Sequence, residues 1–141
     1  MEKFIVTAAL PYANGPIHIG HIAGAYLPAD IFVRYQKLKK NDVVFICGSD
    51  EHGAAITLRA KKENKSPKEI IDLYHSKNKK SFELLNINFS IFDRTSSKLH
   101  HETAQDFFKN LDSKNIFNKK TTKQFFDKKH KQFLADRYIQ G

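Results

Sequence analysis

The sequence has 141 residues, which is enough for one globular domain with a hydrophobic core. Hydrophobic residues make up 40% of it and Phe occurs 12 times, a composition that excludes an intrinsically disordered chain. The formal net charge of +9 suits a polyanionic partner such as RNA or a nucleotide, although scattered lysines are also typical of a solvated surface. No apolar run approaches the roughly 20 residues that a membrane-spanning helix needs.

The single cysteine, Cys47, has no partner for an internal disulfide, which is typical of a reducing compartment. The first ten residues, MEKFIVTAAL, lack the basic start and the cleavable apolar stretch of a signal peptide. We therefore expect a cytoplasmic protein without a membrane partner.

Two apolar, β-branched runs, residues 4–10 and 43–47, are predicted to be buried strands, and a loop of turn-forming or polar residues follows each one. Apolar residues recur at helical spacing over 18–40, which predicts a helix between the strands with a kink at Pro28. Strand, helix and strand in this order indicate that both strands are parallel and central in one sheet, joined by a right-handed crossover.

Two more helices are predicted further along the chain. Ser66 and Glu69 form a capping box around Pro67, which opens a helix that continues to about Leu85. Another helix is predicted over 97–115. Together the elements predict an α/β fold with a doubly wound parallel sheet.

The character of the sequence changes after Asn115. Residues 116–126 and 132–139 are predicted to be short strands, separated by a basic turn over 127–131. A second structural unit, rich in β structure, is therefore predicted to begin at residue 116.

The loop after the first strand leads into a polar helix start. Ligands of open α/β sheets bind beyond the carboxyl ends of the strands, where both unusual loops lie. His18, Gly20 and His21 fall on the opening turn, where unpaired N–H groups and the helix dipole attract phosphate. Both imidazoles could face one anion, and Gly20 would let a purine ring approach the backbone. Surface or capping histidines are the simpler interpretation of the same pattern.

The loop after the second strand holds Asp50, Glu51 and His52. Asp50 is close enough to the strand end to bind a ligand ammonium through a charge-assisted hydrogen bond. A helix N-cap at Ser49 or Asp50 is an equally good interpretation. Cys47 is expected to be a small buried hydrophobe. The other histidines receive no functional role: His75, His100, His101 and His130.

The segment ALPYANGPIHIGH, residues 9–21, resembles the HIGH signature of the class I aminoacyl-tRNA synthetases in its methionyl form. The four letters HIGH occur across class I synthetases and related nucleotidyltransferases, whereas the preceding ALPYANG is similar to methionyl enzymes in particular. The match continues through ADIFVRYQ at 29–36 and FICGSDEHG at 45–53, and reaches FLADRY at 133–138.

This resemblance implies a Rossmann-like class I synthetase catalytic domain. Residues 1–115 would be the first half of that nucleotide-binding domain, and 116–141 the incomplete beginning of a small inserted connective unit. The implied activity is that of a methionine–tRNA ligase, which activates methionine with ATP and Mg²⁺ to methionyl-adenylate and then charges tRNA(Met). The implied partners are methionine, ATP, tRNA(Met) and the remainder of a synthetase chain.

The resemblance also assigns roles to residues. His18 and His21 would be catalytic, as donors to the charge that develops on the phosphates. Asp50 would bind the methionine ammonium, and Leu10 and Tyr12 would form one wall of the methionine pocket. The residues expected to contact ATP are Tyr12, Asn14, Gly15, His18, Gly20 and His21.

Some features of the family are absent from these 141 residues. They lack the KMSKS loop that holds the triphosphate, the later aromatic residues of the methionine pocket and the anticodon-binding helices. With a single cysteine there is no zinc-binding knuckle either, so zinc is expected only in a complete enzyme and no metal ligand is assigned. We therefore expect the 141-residue chain alone to form little or no adenylate.

Two other functions fit parts of the sequence. His18, His21, Asp50 and His52 are ligand types that suit a divalent-metal hydrolase. The net charge and the mixture of Phe and Lys in the last third suit a non-enzymatic basic RNA-binding module. An RNA-binding function alone does not account for the two loops at the strand ends.

Overall fold

The computed structural model describes residues 1–129 and 131–133. The chain forms two compact units, Met1–His100 and His101–Gly141. The elements of the first unit are β1 (Lys3–Thr7), α1 (Ile19–His21), a π-helical segment (Ile22–Tyr26), α2 (Leu27–Leu38), β2 (Asp42–Ser49), α3 (Ala54–Lys62), α4 (Pro67–Leu84) and β3 (Ile91–Arg94). α5 (Lys98–Asp112) begins in this unit and continues into the second.

β1, β2 and β3 form a parallel sheet with β2 in the middle. Val6 pairs with Phe45, and Cys47 pairs with Phe92. The predicted α/β fold and the parallel pairing of the first two strands are confirmed. The central position expected for both holds for β2, whereas β1 has a neighbour on one side only among the described residues. β1 also ends at Thr7, so Leu10 lies outside the strand.

Two apolar clusters hold the helices on the sheet. The larger one joins β2 to the π-helical segment, to α2 and to α4, and its large buried rings are Phe45, Tyr26 and Phe82. The smaller one joins α3, α4 and the loop after β1. α4 contributes a buried stripe at every fourth residue, as expected for an amphipathic helix: Ile70, Tyr74, Asn78 and Phe82.

The helical stretch after the first loop is interrupted by a π-helical turn. Leu27 N–H bonds to Ile22 O in this wider turn, directly before Pro28. Since Pro28 has no N–H to offer a regular α-helix, the interruption falls in the turn that precedes it. The kink predicted at Pro28 therefore corresponds to this change of hydrogen-bond pattern.

β3 was not predicted from the sequence. A helix was expected after the second loop, without bounds, and α3 is that helix. The two later helices were predicted with bounds: α4 begins with the predicted capping box, in which Ser66 Oγ accepts from Glu69 N–H, and α5 matches the helix predicted over 97–115. Among the described residues, no helix combines the length and the apolar character needed to cross a bilayer.

In the second unit, β4 (Phe126–Asp127) and β5 (Gln132–Phe133) pair as an antiparallel hairpin. The strand expected over 116–126 is present only at its last residue. The strand expected over 132–139 begins at β5, while 134–139 and the histidine at 130 lie outside the described residues. The predicted boundary between the nucleotide-binding domain, 1–115, and the inserted unit, 116–141, stays a prediction.

Candidate functional site

The loop after β1 remains attached to the sheet beyond the strand end. Tyr12 and Asp50 form an isolated parallel bridge, in which Asp50 N–H donates to Pro11 O (2.9 Å) and Ala13 N–H donates to Asp50 O (2.8 Å). Gly53 has a φ of 121°, and a Cβ there would lie 2.6 Å from Tyr12 Oη. The structure thus brings the predicted residues Tyr12 and Asp50 side by side. The backbone conformation at position 53 and its contact with the Tyr12 hydroxyl both favour glycine there.

His18 and His21 cap the start of α1 together. His18 has an extended backbone, and its Nδ1 accepts from Gly20 N–H (3.1 Å). His18 N–H in turn donates to His21 Nδ1 (3.2 Å). The two rings stack with centroids 3.7 Å apart. Capping and a shared exposed face are therefore both features of this histidine pair.

These hydrogen bonds determine which ring atoms remain available. An imidazole nitrogen that accepts a hydrogen bond carries no proton, so each ring in this arrangement is neutral and protonated at Nε2. His18 and His21 are both exposed. The pair therefore provides two neutral N–H donors at the start of a helix.

Gly20 has a structural role beside the one predicted. A Cβ on Gly20 would lie 3.0 Å from His18 Cε1, closer than most real contacts. A larger residue at position 20 would therefore require the His18 ring to shift by a few tenths of an ångström.

Two long-range side chains hold the loop between Ala13 and His18. Arg59 on α3 donates from Nη1 to Asn14 O (3.0 Å) while its guanidinium lies over the Tyr74 ring. Asn78 on α4 accepts from Ile17 N–H at Oδ1 (3.0 Å). Neither side chain was identified from the sequence.

The loop after β2 is held by a buried carboxylate. Glu51 has a fully buried side chain, and Arg94 Nε donates to its Oε1 (2.8 Å) and Oε2 (2.9 Å). Ser96 Oγ–H donates to the same carboxylate, and Glu51 N–H donates to Thr95 Oγ1 (2.9 Å). Asp50 immediately precedes Glu51, so this network holds the backbone that carries the predicted ammonium ligand.

Arg94 is also paired on its other side. Its Nη2 lies 2.6 Å from Asp72 Oδ1. Lys68 Nζ lies 2.6 Å from Asp72 Oδ2. Lys68, and then Arg94, lowers the pKa of Asp72 below its ordinary value. The guanidinium therefore links the loop after β2 to α4 by way of Asp72.

His75, which received no role in the sequence analysis, belongs to this network. Its Nδ1 lies 2.9 Å from Ser49 Oγ and 3.8 Å from Glu51 Oε1, and its ring stacks on Phe92. Burial, and then the charge of Arg94, lowers the pKa of His75 in spite of the opposing charge of Glu51. The ring is therefore held neutral beside the Glu51–Arg94 pair.

A cavity of about 270 Å³ lies at the carboxyl ends of the three strands. Leu10, Cys47 and Ile91 line it together with Arg94 and His100. Cys47 is buried, and burial raises the pKa of its thiol to about 11, which fits the expected small hydrophobe. Leu10 thus faces an apolar space, whereas Tyr12 and Asp50 are not among the residues that line it.

The histidines suggested for a divalent-metal hydrolase each direct one ring nitrogen to the protein backbone. His18 and His21 direct Nδ1 to backbone N–H groups, and His52 Nε2 lies 3.3 Å from Thr95 O. Within the part of the chain that the structure describes, no three or more His, Cys, Asp or Glu side chains are grouped so as to hold a metal ion.

Comparison with known proteins gives one consistent family. The family model described as tRNA synthetases class I (M) matches residues 4–141. A methionine–tRNA ligase of Bacteroides fragilis is 62% identical over 140 residues, covering 99% of this chain and 21% of the relative. One from Salinibacter ruber is 57% identical over 140 residues, covering 99% of this chain and 20% of the relative.

Solved structures agree with this result. Mycobacterium tuberculosis methionyl-tRNA synthetase in complex with methionyl-adenylate matches with a TM-score of 0.84 and 25% identity, covering 99% of this chain and 27% of that one. The LeuRS of Agrobacterium radiobacter K84, in a ternary complex with tRNA and LeuAMS, matches with a TM-score of 0.81 and 26% identity, covering 96% and 17%. The chain spans about a fifth of the length of the curated relatives. Its sequence, fold and family match together show that the chain belongs to the class I tRNA synthetases of the methionyl (M) group.

Proposed function

We propose that the protein containing this chain is a methionine–tRNA ligase that acts in the cytoplasm. It would convert methionine and ATP to methionyl-adenylate and pyrophosphate, and then transfer the methionyl group to tRNA(Met). The observation that carries the proposal is the stacked pair of His18 and His21, two neutral donors at a helix start beyond a parallel strand. Relatives at 62% and 57% identity that are methionine–tRNA ligases support it.

The histidine pair suits the transition state of adenylate formation. When the methionine carboxylate attacks the α-phosphorus, negative charge increases on the phosphate oxygens, and fixed N–H donors stabilise it. Because both Nδ1 atoms are occupied by backbone N–H groups, the Nε2–H groups of His18 and His21 would make these contacts. ATP, accompanied by Mg²⁺, would lie along the loop and helix start, against Tyr12, Asn14 and Gly15, with its base near Gly20.

The methionine would bind beside the paired loops. Asp50 would accept the ammonium, because a carboxylate forms strong charge-assisted hydrogen bonds with a cation. Tyr12 lies next to Asp50 through the backbone bridge, and Leu10 lines the apolar cavity at the strand ends. These two side chains would form one wall around the thioether. tRNA(Met) and the rest of the synthetase chain complete the proposed set of partners.

Methionine-dependent exchange of pyrophosphate into ATP, measured on the full-length protein, tests this function. We expect exchange with methionine and much less with leucine or isoleucine as matched controls. Equal exchange with leucine would contradict the assigned amino acid, and no exchange with any amino acid would contradict the ligase. Charging of tRNA(Met) transcripts then tests the second step separately.

A further inference from the structure

α4 carries one polar residue in its apolar stripe. Ile70, Tyr74 and Phe82 pack in the core, and Asn78 lies between Tyr74 and Phe82 in this series with no exposed surface. Asn is a poor helix former, and a buried amide is costly unless its donor and its acceptor are both used. A completely buried Asn at an apolar position therefore needs a specific partner.

The partner is the turn that precedes the histidine pair. Ile17 N–H donates to Asn78 Oδ1 (3.0 Å), and Asn78 Nδ2 donates to Gly15 O (3.4 Å). These two backbone groups flank Pro16, which has no N–H of its own. The Asn78 amide thus bridges the residues on either side of Pro16 by accepting one backbone hydrogen bond and donating another. We call this pair of hydrogen bonds the clamp.

An uncharged amide is the side chain that this geometry requires. A carboxylate can only accept and an ammonium can only donate, so either would leave one of the two backbone groups unpaired. Gln has the same groups but is one methylene longer, and would place them differently. The two contacts therefore select Asn at position 78.

We propose that Asn78 is a positioning residue for adenylate formation, since its clamp across Pro16 fixes where the His18 and His21 donors stand. Ile17 is adjacent to His18, whose extended backbone and ring both cap α1. A rotation of the Ile17 peptide would therefore move the His18 ring, and with it the stacked His21 ring. Asn78 itself has no contact with substrate in this proposal, which rests on the function proposed above.

The decisive variant is Asn78→Leu in the full-length protein, because leucine has the same number and branching of side-chain heavy atoms and removes both hydrogen bonds. We expect the turnover of methionine-dependent pyrophosphate exchange to fall about 10- to 100-fold, since small misplacements of catalytic groups have effects of this size. The methionine KM should change less than about threefold, because the clamp positions the histidine donors and does not itself bind methionine. Asn78→Asp, which keeps the acceptor for Ile17 N–H, should recover part of the turnover.

Phe82→Leu is the matched control for lost stability. Phe82 lies four residues further along α4 and packs against Tyr26, Phe89 and Phe92, and its side chain makes none of the hydrogen bonds that hold the turn at Pro16. It should lower the thermal midpoint as Asn78→Leu does and leave turnover within about twofold. Equal losses of turnover in these two variants, at matched stability, would overturn the positioning role.

Hydrogen–deuterium exchange of peptides spanning residues 13–20 gives a readout that does not depend on activity. The clamp predicts that this turn exchanges faster in Asn78→Leu than in the wild type or in Phe82→Leu. Unchanged exchange would refute the clamp even if the enzyme is a methionine–tRNA ligase. If the turn exchanges faster in Asn78→Leu but the wild-type protein has no methionine-dependent activity, the proposed function is refuted and the structural clamp stands. If Asn78→Leu does not fold, the same comparison is made with Asn78→Asp, and unchanged turnover together with unchanged exchange there overturns the proposal.

Discussion

The loops that follow β1 and β2 lie side by side, and the polar side chains that distinguish them are held by different means. In the first loop the histidine pair is exposed and neutral, and it is fixed by hydrogen bonds to its own backbone. In the second loop a fully buried Glu51 is fixed by Arg94, a charge that comes from a different strand. The exposed pair is available to a ligand, whereas the buried carboxylate is already saturated by protein donors.

This difference indicates how stability and chemistry are divided between the loops. Exposed side chains contribute little to folding, and so His18 and His21 can be changed with little effect on the sheet. A buried charge pair becomes costly as soon as one partner is removed. Changes in the first loop should therefore reduce turnover, and changes at Glu51 should reduce stability.

Glu51→Gln should have the largest effect. It keeps the shape of the side chain but leaves the Arg94 guanidinium without its buried carboxylate, which in general costs about 3–5 kcal/mol. Because Arg94 also lies close to Asp72, we expect the lower end of this range, about 3 kcal/mol. Hydrogen exchange of the β2 and β3 amides in the full-length protein would measure it as a lower free energy of opening.

Glu83→Gln is the control for Glu51→Gln, since Glu83 forms an exposed pair with Lys80 on α4. Surface pairs contribute about 0–1 kcal/mol, so this variant should change the opening free energy very little. A similar loss in both variants would show that the buried network is not what stabilises the second loop.

His18→Ala or His21→Ala should lower the turnover of pyrophosphate exchange far more than it weakens methionine binding. One lost donor to a developing oxyanion costs on the order of 3 kcal/mol, or roughly a hundredfold in rate. His18→Asn makes the test sharper, because Asn can still accept from Gly20 N–H as an N-cap but has no Nε2–H group. Retained turnover in His18→Asn would show that His18 serves only as a cap.

The parts of the site that were predicted from the sequence depend on local signals. His18, Gly20 and His21 are close in sequence, and a turn followed by apolar residues at helical spacing was enough to place them at a helix start. Asp50 was placed correctly because it directly follows a continuous apolar strand. In each case the residues that determine the geometry lie within a few positions of each other.

The parts that were missed depend on distant contacts. Arg94 lies 43 residues from Glu51, and Asn78 lies 61 residues from Ile17. β3 has four residues, IFDR, and becomes a strand through its pairing with β2 rather than through its own pattern. The four-residue spacing of Ile70, Tyr74 and Phe82, with Asn78 between them, was a visible signal, since a polar residue on a buried stripe requires a partner.

Asp50→Ala should chiefly raise the methionine KM, because the ammonium is charged in the ground state and in the transition state alike. A hydrogen bond to a charged group contributes about 1.5–3 kcal/mol, which corresponds to roughly a 10- to 100-fold higher KM. The bridge to Tyr12 uses only the backbone of Asp50, so the loop pairing should survive. A fall in turnover at unchanged KM would place Asp50 in the chemistry of the first loop instead.

His75→Gln should have the smallest electrostatic effect, which is measured as a change in how stability depends on pH. Because the folded-state pKa of His75 is lowered from 6.5, the unfolded protein takes up a proton first as the pH falls. Wild-type stability should therefore decrease from about pH 6.5 down to the folded-state pKa, and the variant should lose less over the same interval. Asp72, whose pKa is lowered from 3.8, contributes only at more acidic pH. Thermal midpoints of both full-length proteins between pH 8 and pH 5, at constant ionic strength, give the difference.

If the wild type instead gains stability relative to His75→Gln on acidification, the protonated ring must pair with Glu51 across the 3.8 Å that separates them. The second loop would then be held by two cations rather than by Arg94 alone.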